Sequence, residues 1–164
     1  MTIFVKNKYT LQVEEFFFRC CIGKKGFAKK KIEGDKKTPK GTYEIGDLYY
    51  RKDKIKKPIT KLKCIAITSK MGWSNDSNYP KKYNKLIDIN YSISHEKLKR
   101  KDSKYDLLIP IRYNYIKTIP ERGSCIFIHL TKNYRPTAGC ISLKKKDFLI
   151  MLKLINKKTK IKIY

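Results

Sequence analysis

The sequence predicts a mostly-β domain, sandwich or barrel-like, with one or two helices. Three observations predict it. The apolar segments are short and alternate with polar residues, as half-buried strands do. Gly, Pro, Asn and Asp signals separate them at close intervals. Helical spacing is clear in one segment only, near the end of the chain. The 164 residues suit one domain spanning 1–164. A chain of this size buries roughly 70% of its unfolded surface and needs no metal or disulfide to stay folded.

Residues 2 to 6 and 9 to 22 read as strands, a hairpin around Lys6-Asn7-Lys8. Residues 23 to 41 hold four glycines and one proline and read as a long, turn-rich connection. Residues 42 to 51 and 63 to 69 read as further strands. Residues 70 to 93 are polar and aromatic and hold the lone Trp. They read as a long irregular loop, a kind of segment often functional in compact domains. Ser94 suits the N-cap of a short helix at Ser94-His95-Glu96-Lys97. Residues 105 to 113 and 124 to 130 are strongly apolar strands. In the last helix Phe148, Leu149, Leu152 and Ile155 share one face, and Ser142 is its expected N-cap. Residues 159 to 164 alternate and close the fold as a strand, for seven or eight strands in all.

The net charge is +26, from 40 basic and 14 acidic residues. Such a surface attracts polyanions. The lysines are scattered from Lys6 to Lys162, and the richness in Lys, Ile, Asn and Tyr also follows from A/T-rich codons. A solvated basic surface and a polyanion-binding one both fit. No apolar run approaches the ~18 residues of a membrane span, and the N-terminus lacks the apolar core and small-residue cleavage site of a signal peptide. The five cysteines form no CxxC pair and no zinc-finger spacing, so no metal and no cofactor is expected. Cys20, Cys21, Cys64 and Cys125 sit in apolar runs and behave as small hydrophobes.

Cys140 is different. It follows Gly139 in the turn of TKNYRPTAGC and precedes the last helix. A helix start lowers a thiol pKa. The amides of Gly139 and Cys140 are candidate donors to an oxyanion. In SCIFIHL, Ile126, Ile128 and Leu130 form the core face, while Cys125, Phe127 and His129 share the other. His129 is thus directed into a groove, where it suits a general base for the thiol. Cys125 is the rival thiol, without a turn or a helix start. A zinc site of His129, Cys125 and Cys140 lacks any ligand-pair spacing. A non-catalytic basic module for nucleic acid or wall polymer is the contrasting reading, though a pure binder needs neither thiol nor imidazole.

Several stretches together resemble the YkuD-type L,D-transpeptidases. They are His129, then Thr137-Ala138-Gly139-Cys140-Ile141, the early EGDKKTPKGTYEI, and GWSNDSNYPKKYN, SHEKLKRKD, YDLLIPIRYN and RGSCIFIH. The likeness covers nearly the whole chain and is strongest to a compact subgroup from Gram-negative bacteria. It implies a YkuD-like β-sandwich with one or two short helices and a Cys–His pair at one end. It also implies peptidoglycan chemistry, in wall biogenesis and cell shape. Cys140 would attack an L-centre carbonyl of a donor stem peptide and expel the distal D-residue. The acyl thioester would pass to the amine of an acceptor stem, or to water. A periplasmic or envelope location follows from that chemistry alone. The partners implied are stem peptides and anionic wall polymers, with no specific nucleic acid. Many members carry His where this chain has Ala138, and Arg or Asn where it has Ser142. A backbone carbonyl is expected to orient His129.

Trp73, Tyr83 and Asn84 are candidates to line the substrate groove from the long loop. Arg135 suits a bidentate pairing with a stem carboxylate. Thr137 suits a bond to the turn backbone, and Ser142 a polar contact beside the thiol. Asp76, Glu96, Arg100 and Asp102 suit a polar network holding the loop.

Overall fold

The computed structural model of the chain describes residues 1–89 and 91–164. The chain opens with an antiparallel meander, β1 (Thr2–Val5), β2 (Thr10–Val13) and β3 (Phe16–Cys21). The turn-rich connection holds two short parallel strands, β4 (Phe27–Ala28) and β5 (Thr38–Pro39). Next come β6 (Gly41–Glu44), β7 (Leu48–Tyr50) and β8 (Cys64–Ala66). A small sheet follows, from β9 (Met71–Ser74), β10 (Leu86–Asp88) and β11 (His95–Lys97), with β9 in the middle. The last stretch carries β12 (Leu107–Pro110), β13 (Phe127–Leu130), β14 (Ile141–Leu143), the helix α1 (Lys145–Leu154) and β15 (Lys160–Ile163).

The mostly-β expectation holds, with more and shorter strands than the sequence suggested. Residues 9 to 22 fold back on themselves because Glu14 takes a left-handed turn at φ 50°. Residues 42 to 51 split into β6 and β7 around Gly46, which lies over the Pro110 ring. The expected loop at 70 to 93 contains β9 and β10; within it only Asn90 lies outside the described residues. Ser94 starts no helix. Its hydroxyl bonds Asn75 Oδ1 at 2.7 Å, and the residues after it pair with β9.

Ten strands form one sheet in the order β6-β15-β1-β2-β3-β14-β13-β12-β7-β8. β6 and β7 are neighbours in sequence yet stand near opposite ends of that order. The sheet curls until those ends meet: Arg112 N–H donates to Glu44 C=O at 2.9 Å, and Gly46 N–H to Pro110 C=O at 2.8 Å. The two halves enclose one aliphatic core. Ile3, Val5, Ile161 and Ile163 enter it from one half, Ile109, Ile128, Ile141 and Leu143 from the other. α1 covers this core with Phe148, Met151 and Leu152. Full burial of side chains of this size contributes roughly 1.5–3 kcal/mol each. The N-cap of α1 is Lys144, which gives no side-chain cap; Ser142 lies inside β14.

β13 buries both faces. Its even positions join the aliphatic core, while Cys125 and Phe127 join a second cluster with Trp73, Tyr105, Leu108 and Cys140. That second cluster floors a cleft.

Candidate active site

β14 runs parallel to β13, with His129 opposite Ser142 and Ile128 opposite Ile141. Extending that register sets Cys140 opposite Phe127, two residues back along the face that carries His129. Diagonal neighbours of this kind lie about 7–8 Å apart at Cα, within reach of a long or aromatic side chain. Both residues line one cleft of about 1230 Å³.

Cys140 sits at the base of this cleft and is 8% exposed. Its sulfur accepts a hydrogen bond from Phe127 N–H at 3.4 Å, and its S–H donates to Cys125 C=O at 3.2 Å. Burial pushes the thiol up to about 12, and the nearby Glu96 carboxylate pushes the same way; Phe127 N–H, Lys31 and Lys104 pull against them. Cys140 is separated from α1 by β14, so no helix start activates the sulfur as the sequence suggested. The resting group is a protonated thiol.

His129 is 6% exposed. Burial pulls its pKa down to about 4, against the Leu130 carbonyl bond that supports the charged form; Lys104 and Arg100 lower it further. Its Nδ1 lies 2.9 Å from Leu130 C=O. A neutral imidazole meeting a carbonyl there must donate from Nδ1, which leaves Nε2 as the basic nitrogen. A backbone carbonyl thus orients the ring. The Tyr105 ring packs edge-on against the imidazole at 5.4 Å between centroids, and its hydroxyl donates to Glu96. Among the described residues no hydrogen bond joins His129 to Cys140 in this resting arrangement.

The turn before Cys140 is held closely. Gly139 has φ 144°, and a Cβ on it would come within 2.8 Å of Lys37 C=O. Only glycine suits both the conformation and the space. Gly139 N–H donates to Thr137 Oγ1 at 3.1 Å, and Thr137 O–H donates to Cys140 C=O at 2.6 Å. The Gly139 amide is therefore occupied, which removes one of the two oxyanion donors expected from sequence. Cys140 N–H has no partner among the described residues.

The family profile described as the L,D-transpeptidase catalytic domain, YkuD, matches residues 1–163. The chain belongs to the YkuD family. The helical cell shape determining protein Pgp2 from Campylobacter jejuni is a solved structure similar to this YkuD chain. The match has 17% identity and a TM-score of 0.54, over 99% of this chain and 46% of the other. A point mutant of Pgp2 matches at 16% identity and a TM-score of 0.52 with the same coverage. This likeness is one of fold. The YkuD chain spans less than half the length of these neighbours. No curated protein matches it. Among the described residues no helix is long and apolar enough to cross a membrane, and no group of His, Cys, Asp and Glu is placed to hold a metal.

Set in the YkuD fold, the residues expected at the site fall into two groups. Cys140, His129, Gly139, Thr137, Arg135 and Ser142 all line the cleft. Ser142 Oγ shares a 2.8 Å hydrogen bond with Cys21 Sγ, so its side chain is already engaged. Arg135 is exposed at the rim and, among the described residues, makes no ion pair. Trp73, Tyr83 and Asn84 do not line the cleft; they are buried behind it. Asn84 Oδ1 accepts from Trp73 Nε1 at 3.0 Å and from Cys125 N–H at 3.1 Å, while its amide donates to Tyr113 and Asn114 carbonyls. Tyr83 O–H donates to Glu33 and accepts from Gly123 N–H. Their polar side-chain groups are all taken by protein partners, which leaves none for a substrate.

The expected loop network is in part real: Arg100 pairs with Asp102 at 2.6 Å, and Asp76 accepts from Ser94 N–H at 2.9 Å. Glu96 instead faces Tyr105. Sequence reasoning missed Glu33, Lys31 and Tyr105, which all line the cleft. No spacing marked them, because Lys31 and Glu33 lie on one segment and Tyr105 on another far along the chain, and only the fold brings the two together.

Proposed function

We propose that the chain is an L,D-transpeptidase that forms peptidoglycan cross-links through an acyl-enzyme on Cys140, with residues 1–164 as one catalytic domain. The observation that carries this reading is an imidazole held at Nδ1 by Leu130 C=O, its Nε2 unbonded among the described residues, sharing a cleft with the buried Cys140 thiol. In such a pair the base acts as attack occurs, with no ion pair formed beforehand.

The thiol must leave Cys125 C=O and turn toward His129. As sulfur bonds to the L-centre carbonyl carbon, Nε2 takes the thiol proton and the carbonyl oxygen becomes an oxyanion. Cys140 N–H, without a partner among the described residues, suits that oxygen. Collapse breaks the C–N bond, and the imidazolium gives its proton to the departing amine of the D-residue. An amine of the acceptor stem then attacks the thioester, and His129 accepts its proton while the thiol is regenerated. Water in the acceptor's place gives the L,D-carboxypeptidase outcome. Arg135 at the rim suits a stem carboxylate, with Thr137 holding the turn.

We place the protein in the periplasm or elsewhere in the envelope, where peptidoglycan lies. The name of its structural neighbour supports a part in cell shape. The test is muropeptide analysis of sacculi incubated with wild type and with Cys140→Ala. New dimers mean transfer, and shortened monomers mean hydrolysis. Identical profiles from the two proteins would end the reading. A carbapenem is expected to add its mass to wild type and not to Cys140→Ala.

A further inference from the structure

The early Thr-Pro turn lies just over a hundred residues before the thiol, yet Thr38 bonds the residue beside it. The Thr38 side chain is wholly buried. Its hydroxyl accepts from Gly23 N–H at 2.9 Å and donates to Gly139 C=O at 2.8 Å. Because Gly23 supplies one proton, the direction of the second bond is fixed, and Thr38 is the donor to Gly139. The preceding Lys37 carbonyl takes up the space a Cβ on Gly139 would need, and the bonds from Thr137 hold the rest of the turn.

A peptide unit is planar and trans, so its C=O and N–H point in opposite directions. Whatever holds Gly139 C=O therefore sets where Cys140 N–H points. Every other polar backbone group of Gly139 and Cys140 has a partner: Gly139 N–H on Thr137, Gly139 C=O on Thr38, Cys140 C=O on Thr137. Among the described residues Cys140 N–H alone has none. Most backbone amides of buried residues are bonded, so an unpartnered one lining a cleft is available to a ligand.

We propose that Thr38 is a positioning residue. It anchors the Gly139 carbonyl and so aims the Cys140 amide at the oxygen of a thiol-bound acyl group. This rests on the acyl-transfer reading above and adds to it the role of the Thr-Pro segment, which touches no substrate. Thr38 accordingly acts on the step in which negative charge develops on oxygen, and not on the nucleophilicity of sulfur.

The test compares two reactions of Cys140. Acylation by a carbapenem passes through an oxyanion. Alkylation by iodoacetamide displaces iodide at carbon and needs no oxyanion donor. In Thr38→Val, which keeps the shape and loses the hydroxyl, acylation is expected to slow about 10- to 100-fold, somewhat less than when such a donor is removed altogether. Alkylation is expected to hold its wild-type rate. On a stem peptide the loss is expected in kcat with KM unchanged. Thr38→Ser restores the hydroxyl and is expected to restore acylation. Where valine does not fold, Thr38→Ala, which adds no bulk, carries the same comparison with Ser. A hydroxyl-free variant that acylates at the wild-type rate overturns the proposal. So does a serine variant as slow as valine, or a valine variant whose alkylation slows in step with acylation. Wild type that alkylates at Cys140 yet never acylates would instead sink the acyl-transfer reading itself, and this proposal with it.

Discussion

His129 holds its base in reserve by staying uncharged. Its folded pKa of about 4 lies below the ordinary value of 6.5, so the unfolded chain binds the extra proton first. Stability therefore rises with pH between those two values and is lost as pH falls through them. The shift corresponds to roughly 3 kcal/mol at most, since about 1.4 kcal/mol goes with each unit. Thermal melts from pH 7 to pH 4 are expected to fall more steeply for wild type than for His129→Gln. Parallel curves for the two would contradict a buried neutral imidazole. In the same way, kcat/KM is expected to show no acid limb near pH 6.5, with loss only toward pH 4. The position of His129 was legible because strand alternation puts it opposite the Ile126–Ile128–Leu130 stripe. Its burial was not legible, because Tyr105 and Leu108, which help bury that face, lie far from it in sequence. The predicted activation of Cys140 by a helix failed for a local reason: Ile141, Ser142 and Leu143 pair with β13 and β3 before the helix can begin.

Between elements, the position of Cys140 depends on how β13 begins. Cys125, just before it, takes φ 53°, and its carbonyl receives the Cys140 thiol proton. Asn84 fixes that residue through its N–H and ties it to β9 through Trp73. Asn84→Ala leaves several buried partners without a bond. A cost of about 3 kcal/mol is expected, given ~1–3 kcal/mol for each unsatisfied group and imperfect additivity. For a chain of this size that lowers Tm by roughly 6–12 °C, and differential scanning calorimetry reads it directly. A change under a degree would show that the hub is dispensable. The same exchange explains why 70 to 93 misled sequence reading. Polar and aromatic residues usually mean an exposed loop, but Trp73 and Asn84 bond each other, Tyr83 bonds Glu33 and Gly123, and all three turn inward. In α1 the apolar spacing was legible, and Phe148→Ala is expected to cost about 3–5 kcal/mol by emptying the core beneath it.

For the molecule as a whole, the charge of +26 acts independently of the thiol. Retention on isolated sacculi is expected to weaken steeply between 50 and 300 mM NaCl, equally for wild type and Cys140→Ala. Salt-insensitive binding would mean the lysines only keep the protein dissolved. The mostly-β architecture was legible from short alternating runs, but its closure was not. Nothing in the individual segments says that the strand after the helix lies between the first strand and the sixth. Yet β15 pairs with β1 on one side and β6 on the other, like the last stave of a cask. The strands that begin at Thr2 and at Gly41 cannot be bridged until residues 160–163 are in place, so the aliphatic interior closes only when the last strand arrives.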